Sequence, residues 1–292
     1  MEVAESVLRG PDRVHLASDL HLGAPNRRES QVREKAFVSW LRGVVAGQFP
    51  GLNGPATEIH LVGDLFDFWF DYKSAVPRGG VRLLGAIAEV VDAGIPVHYH
   101  VGNHDLWSFG YFEEELGVEL HRTPQIFGYN GRQYFIGHGD GLGPGDFGYK
   151  RLKKVFSNAA MQWAFRWIHP DVGIRIASGL SSNSRGANAQ ADALFNGPEQ
   201  EWLWHYCQDY LAQNPDGEID AFVFGHRHLP LDLPVPAPAK QEAYSRYINL
   251  GDWIHHFTAL RIEDSSVELD QYKPHDHKGV ERIGLWTPPT HG

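Results

Sequence analysis

Five times along the chain a short apolar run breaks off in a string of carboxylates, amides and imidazoles. The strings are Ser18-Asp19-Leu20-His21, Gly63-Asp64-Leu65-Phe66-Asp67, Gly102-Asn103-His104-Asp105, Gly137-His138-Gly139-Asp140 and Gly225-His226-Arg227-His228. An apolar run that closes this way reads as a strand leaving its sheet. Ligands of open α/β sheets collect outside the carboxyl ends of strands. The chain must therefore fold so that several strands finish on one crevice.

The periodicities between the strings agree. Strands are expected at Val14–Ser18, Glu58–Val62 and Val97–Val101. Helices are expected at Glu29–Val45, with Val32, Ala36, Phe37, Trp40, Leu41 and Val44 on one stripe, and at Val81–Val91. Strand and helix in alternation give an α/β layered fold with crossover connections. Asn130-Gly131 between two strand patterns predicts a hairpin. Further strands are expected at Ala221–Phe224, Tyr244–Ile248, His256–Ile262 and Val267–Tyr272, and residues 234–239 read as an extended connector. Strand signals vanish over residues 142–212, where Lys150–Ile168 and Glu199–Leu211 are helical in pattern. The expected organisation is a core of residues 1–141 and 213–273, a helical insertion at 142–212, and a loose tail at 274–292.

Composition narrows the function. A net charge of −10 disfavours wholesale nucleic-acid binding. The single Cys207 can make neither an internal disulfide nor a thiolate zinc site, which fits a reducing compartment. The acidic amino terminus lacks signal-peptide character, and no apolar run approaches the ~18 residues of a membrane span. A cytoplasmic protein is expected.

Alternate residues of an extended backbone point to one side, so Asp19 with His21, and His226 with His228, can each face one ion. Donors of Asp, Asn and His type, without Cys, suit Mn²⁺, Fe²⁺ or Zn²⁺. Seven candidates (Asp19, His21, Asp64, Asn103, His138, His226 and His228) are too many for one ion. Two ions ~3.5–4 Å apart sharing a carboxylate would use them all and form a clamp for phosphoryl transfer, with an acidified water as nucleophile. His15, His60, His98, His100, His121, His255 and His256 lie inside strand patterns and read as ordinary hydrogen-bonded residues.

In this order the strings resemble the calcineurin-like metallophosphoesterase superfamily over about residues 14–270. The resemblance implies two packed mixed β-sheets flanked by helices. It implies one metal on Asp19, His21 and His228, another on Asn103, His138 and His226, and Asp64 as the bridge. His104 would contact the phosphate or protonate the leaving oxygen, with Asp67 orienting it. Gly63–Phe70, His138–Asp146, the helical insertion and Asn249-Leu250-Gly251-Asp252-Trp253 resemble, more narrowly, the UDP-2,3-diacylglucosamine diphosphatases of lipid A synthesis in their Bacteroidetes-type branch. The better-known proteobacterial branch has arginine where this chain has His104. That family releases UMP and 2,3-diacylglucosamine 1-phosphate, typically with Mn²⁺, peripherally at the inner face of the cytoplasmic membrane.

Residues 147–175 add a physical cue, with six basic residues against one acid, Asp171, among interleaved aromatics. A basic, aromatic-rich helix on an acidic body suits anionic lipid headgroups and acyl chains. Alternatively it is a lid packing on the core. In Ser181–Asn188, Arg185 could fork onto a pyrophosphate and Asn188 bond sugar or phosphate, beside Asn103, His104 and His226. Two other readings stay open: a soluble-substrate phosphodiesterase or nucleotide pyrophosphatase on the same core, and a non-catalytic scaffold.

Overall fold

The computed structural model describes residues 12–143, 158–176, 179, 194–215, 217–236, 244–273 and 280–282. Two mixed sheets form its centre. The first runs through strands β1 (Arg13–Ala17), β2 (Glu58–Leu61), β3 (Val97–His100), β4 (Glu119–His121), β10 (Thr258–Glu263), β11 (Ser266–Tyr272) and β12 (Val280–Arg282), in the order β12-β11-β10-β1-β2-β3-β4. The second contains β5 (Gln125–Tyr129), β6 (Arg132–Ile136), β7 (Ala221–Phe224), β8 (Pro230–Pro236) and β9 (Tyr244–Leu250), in the order β5-β6-β7-β9-β8. β1, β2, β3 and β4 are mutually parallel, as are β6, β7 and β9. Their carboxyl ends carry the polar strings.

The first crossover is helix α1 (Arg27–Val45), capped by Asn26, whose side chain accepts from Arg28 and Glu29 N–H. It buries Ala36, Phe37, Trp40, Leu41 and Val44 against the first sheet, as the stripe predicts. Val32, assigned to that stripe, is 61% exposed. Its neighbour Arg33 turns inward instead and donates to the carbonyls of Leu20, His21 and Ala24 at 2.6–2.8 Å. A polar residue thus wins the inward position because it satisfies three carbonyls of the loop after β1.

Helix α2 (Val81–Asp92) and the short α3 (Tyr111–Leu116) complete that outer layer. Val14, Leu16, Val223, Ile248, Leu260 and Ile262 fill the space between the sheets. Asn130 and Gly131, at φ 49° and 78°, make the predicted hairpin between β5 and β6. On the second sheet's outer face lies helix α5 (Trp202–Gln213), burying Leu203, Cys207 and Leu211. The segment read as an insertion therefore ends as a layer of the core.

Helix α4 (Ala159–Arg166) is the described part of the basic, aromatic stretch. Two expectations change. Pro234–Pro236 is the end of β8, with Val235 fully buried, and not a surface connector. Proline survives there because β8 is an edge strand. In the tail expected to be loose, Val280–Arg282 pairs with β11.

Candidate metal centre

The loops after β1, β2, β3, β6 and β7 meet in one place. Asp64 Oδ2 stands 3.2 Å from His138 Nε2 and 3.7 Å from His21 Nε2. On one side of it, His21 Nε2 and His228 Nε2 are 3.2 Å apart and 3.7 and 3.4 Å from Asp19 Oδ1. On the other, Asn103 Oδ1 lies 3.3 Å from His138 Nε2, and Asp64, His138 and His226 offer donor atoms within 4.8 Å of one another. Donors bound at ~2.0–2.2 Å to one ion stand about 3–3.5 Å apart. The His21–His228 and Asn103–His138 separations have that spacing, the remaining donors stand somewhat wider, and Asp64 lies between the two groups. Asp19 Oδ1 is buried without a hydrogen-bond partner, which a carboxylate that would hold a cation explains.

The backbone is strained to achieve this, and the pairs Asp19/His21 and His226/His228 converge through left-handed turns and not through the extended alternation expected of them. Asp19, His21, Asp64, His226 and His228 all have positive φ, between 44° and 66°. Left-handed conformations at non-glycine residues are uncommon and collect at functional sites. Gly225 is required by contact, since a Cβ there would lie 2.5 Å from Asp19 Oδ2.

Burial would raise both central carboxyls. His228 and His21 overcome this at Asp19, and His138 and His104 at Asp64, so both are held below the usual carboxylate range. Against its own burial, Asp64 pushes His138 well above the ordinary imidazole value. A cation held here would take the place of that proton. Burial, with His138 adding to it, lowers His226 to about 4. His138 Nδ1–H donates to the Val62 carbonyl at 2.9 Å, which turns Nε2 into the site.

His104 is lowered to about 4, first by burial. Its Nδ1–H donates to the backbone carbonyl of Asp67 at 2.7 Å, leaving Nε2 facing inward, 4.0 Å from Asp64 Oδ2. Asp67 thus holds His104 chiefly through its main-chain carbonyl, while its carboxylate Oδ1 stands 4.0 Å from the same Nδ1 and 3.8 Å from His21 Nδ1. The seven expected donors and His104 are all brought together. Arg185 and Asn188 lie outside the described residues, as do Lys150, Arg151, Lys153 and Lys154.

A curated relative from Porphyromonas gingivalis, UDP-2,3-diacylglucosamine hydrolase, is 31% identical over 255 residues, spanning 84% of this chain and 91% of its own length. The chain belongs to the UDP-2,3-diacylglucosamine hydrolase family. A relative of that name from Edwardsiella ictaluri is 24% identical over 88% of the chain and 91% of its own length. Among solved structures, Yfce, a phosphoesterase from E. coli, aligns with 94% of this chain and 99% of its own at 14% identity and a TM-score of 0.43. No family model matches. This family member is a hydrolase built on two mixed sheets, with clustered His and Asp groups that could hold divalent metal.

Supporting residues complete the site. Asp252, after β9, places Oδ2 3.5 Å from His228 Nδ1, and His228 and His256 hold its carboxyl far below the usual range against burial. Asn249 donates to the Gly225 carbonyl, fixing the loop that carries His226 and His228. Asp105 accepts from Gly102 N–H at 2.6 Å, Leu65 N–H at 3.1 Å and the Tyr99 hydroxyl at 2.6 Å, tying the loops after β2 and β3 together. All three lay in quoted motifs, yet nothing in spacing separated a donor from the group behind it.

Proposed function

We propose that the chain hydrolyses the pyrophosphate of UDP-2,3-diacylglucosamine to UMP and 2,3-diacylglucosamine 1-phosphate. The observation carrying this reading is Asp64 poised between two donor trios, in a chain of that family. Asp19, His21 and His228 would hold one ion, Asn103, His138 and His226 a second, and Asp64 both; Mn²⁺ suits these oxygen and imidazole donors, as do Fe²⁺ and Zn²⁺. Bound there, the ions supply Lewis-acid polarisation of the phosphoryl oxygens and lower the pKa of a coordinated water.

The chain's own residues do the rest. The Nδ1 bond of His138 to the Val62 carbonyl keeps its Nε2 aimed inward, where it would have to be unprotonated to hold an ion. His104, locked by the Asp67 carbonyl, presents Nε2 to the substrate phosphate or the leaving oxygen. Asp252 keeps His228 in register. Arg185 and Asn188 are assigned to the substrate's phosphate and sugar.

The lipid part of the substrate calls for an interface, and the enzyme is assigned to the inner face of the cytoplasmic membrane. No helix among the described residues is long and apolar enough to cross a membrane. What supports peripheral contact is α4 and the segment after it. Phe165 packs inward on Phe70 and Trp107 at ring distances of 4.8 and 4.6 Å, while Trp163 and Trp167 are 64% and 76% exposed. An ordinary lid would bury those indoles.

The deciding experiment offers the Mn²⁺-loaded protein UDP-2,3-diacylglucosamine and a soluble aryl phosphodiester. A kcat/KM at least about a hundredfold higher for the lipid nucleotide is expected, since remote binding energy is spent in the transition state. Equal values would reassign the chain to soluble diesters.

A further inference from the structure

The face of the first sheet that meets the second is not apolar throughout. Parallel register sets His60 beside His98 and His100 beside His121, and alternation puts Glu58 on the same face. Glu58 Oε1 lies 3.0 Å from His60 Nε2 and 3.1 Å from His98 Nε2. From β5, the Tyr129 hydroxyl reaches in to the same carboxylate oxygen and sits 2.7 Å from His60 Nε2. As hydrogen bonds alone, one oxygen would have to accept from two imidazoles and a phenol, with the phenol pressed against one imidazole. The spacings of Glu58 to His60 and to His98 are ordinary around a single ion, because donors at ~2.0–2.2 Å stand about 3–3.5 Å apart, while the Tyr129 hydroxyl keeps hydrogen-bond range of Glu58 and His60.

The outward nitrogens are held as well. His60 Nδ1 faces His100 Nε2 at 3.0 Å, and His98 Nδ1 faces His121 Nε2 at 3.0 Å and Glu119 Oε2 at 3.5 Å. Imidazoles that ligate metals are backed in this way.

We infer that Glu58, His60 and His98 form a further divalent-cation site of the zinc type that fastens β2 to β3, with Tyr129 of β5 hydrogen-bonded to it from the second sheet. The donor set is one carboxylate and two imidazoles without thiolate. The site is separate from the centre around Asp64 and independent of the substrate reading, because Glu58 opens β2 whereas the other donors begin beyond its end.

The test uses the full chain, stripped with a chelator and then saturated with zinc. Metal analysis is expected to find one ion fewer per chain in the Glu58→Gln/His98→Asn double variant than in the unaltered protein. The zinc-dependent rise in Tm is expected to shrink, while Mn²⁺-supported turnover of a soluble aryl phosphodiester stays unchanged. His121→Ala, which removes the group behind His98, is expected to weaken this ion's binding roughly 10–100-fold. Zinc-soaked crystals of the unaltered protein are expected to show an anomalous peak between Glu58, His60 and His98. Equal metal counts in the two proteins, or zinc-saturated crystals without that peak, overturn the site, and the crystals decide even where the double variant does not fold.

Discussion

Asp64 carries two duties at once. Its Oδ2 stands between the donor trios, and its Oδ1 accepts the His104 backbone N–H at 2.8 Å. Asp64→Asn keeps a side-chain carbonyl for that N–H, so the fold is expected to survive by circular dichroism. Bound metal and metal-dependent hydrolysis are expected to be lost, because a neutral amide cannot compensate two cations. His104 separates from Asp64 in the same assays. His104→Ala is expected to cut kcat by about 10²–10⁴-fold while metal content stays as in the unaltered protein; loss of metal would make His104 a ligand. The donors were readable in the sequence because each closes an apolar run beside a residue that lets the chain turn. The bond orienting His104 was not, because spacing cannot tell a carboxylate from the carbonyl of the same residue.

Two elements carry consequences beyond the loops. Helix α5 is pinned to the loop after β7 by Arg227, whose Nε lies 3.1 Å from Glu201 Oε2 and whose Nη2 donates to the Leu194 carbonyl at 2.9 Å. Both side chains are buried. Arg227→Ala leaves a buried carboxylate uncompensated and is expected to cost about 3–5 kcal/mol in urea unfolding. Helix α4 divides its aromatics, Phe165 on the core and Trp163 and Trp167 outward. Trp163→Ser with Trp167→Ser is expected to weaken binding to anionic vesicles at least about tenfold, ~1.4 kcal/mol, with soluble-diester turnover unchanged. Unchanged vesicle binding would make α4 a plain lid. Helical periodicity found the apolar stripe of α1 but misplaced Val32, because the carbonyls that draw Arg33 inward belong to a different loop.

The whole molecule should answer to pH through its buried histidines. His15, under α1 and edge-on to Trp40, is lowered to about 3, mainly by burial and then by Arg261 and Arg13. The unfolded chain binds this proton near pH 6.5 and the folded chain only near 3, so stability is complete above 6.5 and falls as pH drops below it. One proton sets a slope of at most about 1.4 kcal/mol per pH unit. His15→Phe is expected to flatten the fall in unfolding free energy between pH 6.5 and 4 relative to the unaltered protein; parallel curves would place the dependence elsewhere. The sequence by itself determined the layered α/β plan and which polar groups meet at the strand ends, because strand ends and glycines are local signals. Only the tertiary structure decided which oxygen holds His104, that Asp252 stands behind His228, and that Glu58, His60 and His98 meet between the sheets. Those contacts depend on strand register and on how one sheet faces another, and pairings between distant segments leave no trace in local pattern.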